Sequence, residues 1–159
     1  MLRYGKLTAD KEVINLVTKT LDALSQGGIY DQIGAGFARY STDRKWLVPH
    51  FEKMLYDNAL LVVTYLEAYQ LTDNENYALV AREVLEYLER DLGAEAGGFY
   101  TAEDADVEGE EGKFYLWTPE EIKSILGSER GAEFCRYFDI TEAGNFDGQN
   151  IPNLIAINK

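Results

Sequence analysis

Two glycine-led loops hold most of the side chains equipped for chemistry. The first runs from Gly27-Gly28-Ile29-Tyr30-Asp31 through Arg39 and Trp46 to His50 and Glu52, and the second from Gly97-Gly98-Phe99-Tyr100 to Glu103, Asp104 and Asp106. His50 is the chain's only histidine, and an imidazole suits general acid or base work near neutral pH. Glu103, Asp104 and Asp106, together with Asp57, are the candidate catalytic carboxylates, because paired carboxyl groups serve as acid and base in sugar chemistry. Tyr30, Trp46 and Tyr100 offer ring faces for the C–H face of a sugar, and Asp31, Arg39 and Glu52 offer polar contacts to its hydroxyls. No cofactor is implied, and no residue is assigned as a metal ligand. Asp104, Asp106, Glu108 and Gly109 imitate the start of an EF-hand loop, but Tyr115 stands where a bidentate Glu is required. His50-Phe51-Glu52 has the His-x-Glu spacing of zinc deaminases without their Pro-Cys-x-x-Cys half.

Each of these residues also has a plainer role. His50 suits a hydrogen bond that anchors its loop. Asp57 lies in an apolar helical stretch, where a carboxylate is costly unless paired, and Arg39 or Lys53 is its expected partner. Glu108, Glu110 and Glu111 read as a solvated acidic loop, with Glu103, Asp104 and Asp106 better placed to face a cavity. Tyr30, Phe37, Tyr40, Trp46, Phe99, Tyr100, Tyr115 and Trp117 suit packing against helix ends as well as ligand contact.

The elements that must position these loops are mostly helical. A first helix is predicted over Ala9–Gln26 behind Thr8 as N-cap, with Val13, Ile14, Val17, Leu21 and Leu24 on one stripe and Gly27-Gly28 as its stop. Phe37–Tyr40 and Lys45–Val48 read as a short β-hairpin around Ser41–Arg44. Pro49 then introduces a second helix over Phe51–Leu71, apolar on nearly every side and therefore expected to be buried on most of them. Asp73 is read as the cap of a third helix, Asn74–Leu92, which returns to a single stripe of Tyr77, Val80, Ala81, Val84, Leu85, Leu88 and Leu92. Lys113–Trp117 looks strand-like. Thr118-Pro119-Glu120-Glu121 is a full capping-box start, leading to a short helix ending near Leu126 and another over Glu129–Phe138.

Gly27-Gly28-Ile29-Tyr30 and Gly97-Gly98-Phe99-Tyr100 are matching segments, each after an amphipathic helix, and their offset is 98 − 28 = 70 residues. Two helices carry a chain out and back, so both loops should emerge at one end. One-stripe helices alternating with an all-round apolar helix imply an outer and an inner layer. The expected fold class is mainly α, part of an (α/α)6 six-hairpin toroid with short β-hairpins in the inter-helix loops. An open solenoid of helix hairpins is the alternative.

Composition narrows the partners. The 159-residue chain has a net charge of −13, with 46% hydrophobic and 27% charged residues, which is globular and repels nucleic acid phosphates and anionic membranes. Neither class is an expected partner. A single cysteine, Cys135, gives no internal disulfide and no CxxC, so the expected compartment is the cytoplasm. The first residues lack the apolar core of a signal peptide.

Three strings closely resemble one family: Gly28-Ile29-Tyr30-Asp31-Gln32-Ile33-Gly34, then Trp46 through Asp57, then Gly97-Gly98-Phe99-Tyr100-Thr101-Ala102-Glu103-Asp104-Ala105-Asp106. They look like the YyaL-type proteins, relatives of spermatogenesis-associated protein 20, over roughly Leu21 to the end. The resemblance implies a longer parent with an N-terminal thioredoxin-like domain and a six-hairpin α/α toroid similar to those of sugar 2-epimerases and some glycoside hydrolases. Residues 1–159 would then be a single early segment of the toroid without the thioredoxin-like part. The family pattern reads Gly-Phe-His-Arg-Tyr where this chain has Gly36-Phe37-Ala38-Arg39-Tyr40, so Ala38 cannot perform any role of that histidine. The expected function is a share in a carbohydrate-active, epimerase- or glycosidase-like protein that takes a sugar-like small molecule. The alternative is a non-catalytic scaffold or partner-binding module working with the thioredoxin-like domain, and a metal-dependent role ranks third. The rest of the toroid and the thioredoxin-like domain are the expected partners, and the segment alone should self-associate or be marginally stable.

Overall fold

The computed structural model describes residues 1–157, and among these about half are helical, in six α-helices with a few short antiparallel strand pairs. The predicted first helix is two. Helix α1 spans Leu2–Thr8 and ends at Ala9 in the left-handed conformation, and α2 spans Lys11–Gln26. Asp10, not Thr8, caps α2, accepting from the backbone N–H of Glu12 and Val13. Either residue type caps well, and here Thr8 is used up as the last residue of α1. Gly27 closes α2 as expected.

The hairpin forms in a shifted register. Strand β1, Tyr40–Ser41, pairs with β2, Pro49–His50, so Tyr40 faces His50. The turn between them is longer than predicted because Asp43 Oδ1 collects the Ser41 hydroxyl and the Leu47 N–H, each at 2.9 Å. Pro49 therefore sits in a strand, and the second helix starts four residues late. Strand β3, Lys53–Met54, comes first, and α3 spans Leu55–Thr72. Helix α4 spans Glu75–Asp91, capped by Asn74 through the N–H of Asn76, while Asp73 ends α3 in the left-handed conformation. Beyond it come β4 (Ala102–Glu103), β5 (Asp106–Val107) and β6 (Glu110–Glu111), and β3 pairs with β4 and β5 with β6. Lys113–Tyr115 forms a 3₁₀ turn rather than a strand, and Trp117 bridges to Asn150. The Thr118 capping box opens α5, Pro119–Leu126, and α6 spans Ser128–Tyr137.

The main core lies where α2 packs on the α3–α4 hairpin. Leu21, Val62, Tyr65, Ala68, Tyr77, Val80, Val84 and Leu88 fill it, and Tyr65 and Tyr77 donate their hydroxyls across it to Leu21 O and Asp22 Oδ1 at 2.7 and 2.8 Å. On α4 the stripe is as read, except that Tyr87 is buried and Leu85 is exposed. Helix α3 departs from expectation. Only Asn58, Val62, Tyr65 and Ala68 are buried, while Leu60 is 68% exposed and Val63 and Leu66 face outward too. Nothing in the described chain covers that face. No helix of the described residues is long and apolar enough to cross a membrane.

A second core of Phe51, Ala105 and Ile151 joins the loop end to the tail. Asn150 holds the tail in place, donating to the carbonyls of Trp117 and Thr141 and accepting from the Thr141 N–H. Leu154 N–H reaches back to Gln26 O at 2.8 Å.

Candidate functional site

The two glycine loops meet at Lys53. Its segment is extended, which places Lys53 opposite Glu103 in the β3–β4 pair and sends its side chain beneath the first loop. Lys53 Nζ donates to Asp31 Oδ2 and to Ala35 O, each at 2.9 Å. The rings of Tyr87 and Tyr115 lie 4.6 and 4.8 Å from the same nitrogen, a cation–π arrangement that strengthens as water is excluded. Asp31 is fixed from its other side, since Oδ1 accepts from the N–H groups of Ile33 and Gly34 at 2.9 and 2.8 Å. Glu103 joins the two rings, accepting from Tyr87 Oη at 2.8 Å and from Tyr115 Oη at 3.2 Å. Burial, and then the Glu103 carboxylate, push both phenols well above their ordinary range. They stay protonated donors at any physiological pH.

Close backbone approach is a condition of this packing. Gly36 has φ +81°, and a Cβ there would fall 2.6 Å from Tyr87 Cδ1. Asn58, fully buried on α3, ties the same loop down, accepting from Phe37 N–H at 2.7 Å and donating to Phe37 O at 2.9 Å. Arg90 on α4 donates to Gly34 O at 2.6 Å.

Beside this hub lies a recess of about 120 Å³, walled by Phe51, Tyr115, Trp117 and Ile151 and edged by Asp31 and Lys53. Ala38 lines it with a methyl group alone. Small-molecule pockets usually run to about 300–1,000 Å³, so the recess takes one edge of a ring and needs further walls for a whole ligand. A wider groove of about 630 Å³ lies on the other side of Tyr30, between the first loop and Glu83, Glu86 and Arg90.

No family model matches the chain. Mouse spermatogenesis-associated protein 20 is 41% identical over 164 residues, covering 93% of the chain. The human protein of that name is 42% identical over 163 residues, covering 92%, and an uncharacterized protein of Caenorhabditis elegans is 37% identical over 164 residues, covering 94%. This homology supports the spermatogenesis-associated protein 20 family. The chain spans about a fifth of the length of these relatives, 21% of the mouse and human proteins and 22% of the nematode one.

The predicted site residues separate into three groups. Asp31 and Glu103 come together around Lys53. His50, Arg39 and Glu52 form a second cluster: Arg39 Nη1 lies 3.0 Å from Glu52 Oε2, and His50 Nε2 lies 3.7 Å from the same oxygen. The others stand apart. Tyr30 is buried, packs on the Phe37 ring at 4.7 Å and donates its hydroxyl to Glu83 at 2.5 Å. Trp46 adopts φ 63° and lies over Gly27. Tyr100 is 61% exposed. Asp57 is half-buried in the first turn of α3, and its expected partners are engaged elsewhere, Lys53 with Asp31 and Arg39 with Glu52. A step of one residue explains this, because 100° of helix rotation turns Asn58 rather than Asp57 toward the loop. Asp104 and Asp106 are exposed on the acidic hairpin, where Asp104 accepts from the Asp106 N–H at 3.1 Å. Glu111, read as solvated, instead holds His50 Nδ1 at 2.7 Å.

Sequence reasoning passed over Lys53 as a centre and Tyr87 as a member. Both left signals. Lys53 is a lone cation two residues ahead of an apolar helix, and Tyr87 falls three residues after Val84 on the α4 stripe. Among the described residues no group of three His, Cys, Asp or Glu side chains is placed to hold a metal ion.

Proposed function

We propose that the chain is a section of an (α/α)6 toroid in a longer cytoplasmic protein, and that its loop end forms part of the wall of a site for a sugar-like ligand. One observation carries this reading: segments that follow the two Gly-Gly pairs close on Lys53, beside a recess of aromatic faces edged by a carboxylate. Flat rings and acceptor oxygens suit a ligand that has C–H faces and hydroxyls. The uncovered apolar face of α3 supports further helices beside it, and the greater length of the relatives leaves room for them and for the thioredoxin-like domain. Of the candidate acids and bases, Glu103 is committed to two phenols, whereas His50, Asp57, Asp104 and Asp106 keep exposed surface for a ligand.

The test is a melting series of this chain and of full-length mouse spermatogenesis-associated protein 20 with a panel of mono- and disaccharides. A ligand at a hundredfold excess over Kd adds about 2.7 kcal/mol, so a binder raises Tm visibly and should alter Trp117 emission. If no sugar stabilises either protein, the reading fails.

A second reading, a non-catalytic scaffold, is favoured by the self-sufficiency of the hub. Asp31 and Lys53 satisfy one another, Glu103 takes the Tyr87 and Tyr115 hydroxyls, and no buried side-chain polar atom among the described residues lacks a partner. It predicts that Asp57→Asn and Glu103→Gln leave the full-length protein's activity intact while changes on the outer surface do not.

A further inference from the structure

The acidic hairpin after Glu103 is pinned down rather than free in solvent. Asp106 pairs with Glu111 and Val107 with Glu110, and Gly112 N–H closes on Ala105 O at 2.9 Å. Gly112, at φ +77°, lets the chain lie flat on the Phe51 ring, where a Cβ would come within 2.4 Å of Cε2. This delivers Glu111 to the histidine. Its Oε1 sits 2.7 Å from His50 Nδ1 and takes a longer bond, 3.4 Å, from Phe51 N–H. Tyr40 stacks on the imidazole at 5.1 Å.

An ionised carboxylate only accepts hydrogen bonds, so Nδ1 must carry the proton. In the neutral ring Nε2 is then the bare nitrogen, the tautomer being set by the bond the other nitrogen makes. Nε2 faces Glu52 Oε2 at 3.7 Å, and the His50 and Glu52 side chains are 29% and 28% exposed. That distance is too long for a direct hydrogen bond. Arg39, 3.0 Å from the same oxygen, holds Glu52 in place.

We propose that Glu111 is a positioning residue that locks His50 with Nε2 free as a general base, and that Nε2 and Glu52 together receive a vicinal diol. One hydroxyl donates to Nε2 and its neighbour to Glu52. When the first hydroxyl ionises, its O–H bond breaks, the electron pair stays on oxygen, and the new N–H makes an imidazolium flanked by Glu111 and Glu52. The diol rests on the sugar-ligand reading above, whereas the tautomer does not.

Because His50 is the only histidine, ring-nitrogen NMR of the full ¹⁵N-histidine-labelled chain reports this one site. At a pH where the ring is neutral, Nε2 should show the shift of an unprotonated nitrogen and Nδ1 that of an N–H. Glu111→Ala should lose that preference, while Glu110→Ala, which removes a neighbouring charge without touching His50, should keep it. Adding myo-inositol should move the Nε2 resonance in the wild type but not in Glu52→Gln, with cyclohexanol as the single-hydroxyl control. A wild-type ring protonated at Nε2, or a tautomer indifferent to Glu111→Ala, overturns the dyad. A free Nε2 that myo-inositol does not shift, or shifts no more than cyclohexanol does, overturns the ligand class and leaves the sugar melts above to be judged separately.

Discussion

Replacing Lys53 by methionine keeps most of the apolar stem and removes the charge. The Lys53 and Asp31 side chains are 4% and 12% exposed, so neither end of the pair can turn to water without opening the loop. The change leaves Asp31 with two of its three partners, the Ile33 and Gly34 N–H groups, and leaves Ala35 O and two tyrosine faces without their cation. Removing one member of a buried pair costs about 3–5 kcal/mol. The two remaining N–H bonds to Asp31 put Lys53→Met near the lower bound, about 3 kcal/mol. Asp31→Asn strands the more deeply buried cation and belongs nearer the upper bound, about 4–5 kcal/mol. The double variant leaves no unpaired charge, so it should fall short of the sum by about 2–3 kcal/mol. The assay is urea unfolding of the four proteins for the free energies, with thermal unfolding beside it, where Lys53→Met should lower Tm by about 6–12 °C for a chain this size. Single losses below about 1 kcal/mol, the range of exposed pairs, or strict additivity would refute the view of Lys53 as the tie between the loops.

Alkali should unfold the chain steeply. Burial raises the phenols of Tyr30, Tyr65 and Tyr87 above the ordinary 10.0. The unfolded chain therefore sheds protons first, and stability, complete below pH 10, falls as pH rises. With these three groups alone the loss between pH about 10 and about 11 is roughly 3 kcal/mol, and urea midpoints that stay level over that interval would contradict it. Gly36→Ala and Gly109→Ala share a backbone φ of +81°, but only at Gly36 does a Cβ meet a neighbour, Tyr87. Both should lose about 1–2 kcal/mol to the left-handed conformation, and Gly36→Ala a further 1–3 kcal/mol or so from overpacking; equal losses would mean that Tyr87 yields freely. The bare face of α3 should drive concentration-dependent self-association, seen in light scattering and relieved by Leu60→Glu; a monodisperse wild-type monomer would count against it.

Local physics made several features legible in the sequence. The Thr118 capping box, the Gly27 stop, the α4 stripe and the helical content all follow from interactions within a few residues, and neighbours along the chain are visible in the sequence. Convergence of the loops was legible as well, because an out-and-back helix pair leaves few alternatives. Tertiary structure decided the pairings between distant residues. Whether Asp57 or Asn58 turns inward depends on where α3 begins, and that is set by β3 pairing with β4, a partner about fifty residues away. Phe51–Met54 has the composition of a helix turn, but that pairing draws Lys53–Met54 out into strand. Lys53 has no local reason to be buried. It is held there by Asp31, Ala35, Tyr87 and Tyr115, which only the fold brings together. Glu111 likewise looks like one more solvated acid until the Gly112 turn lays it against His50. A side chain's type and spacing therefore set what it is able to bind, while the low-dielectric contacts that select its partner exist only once distant segments have packed.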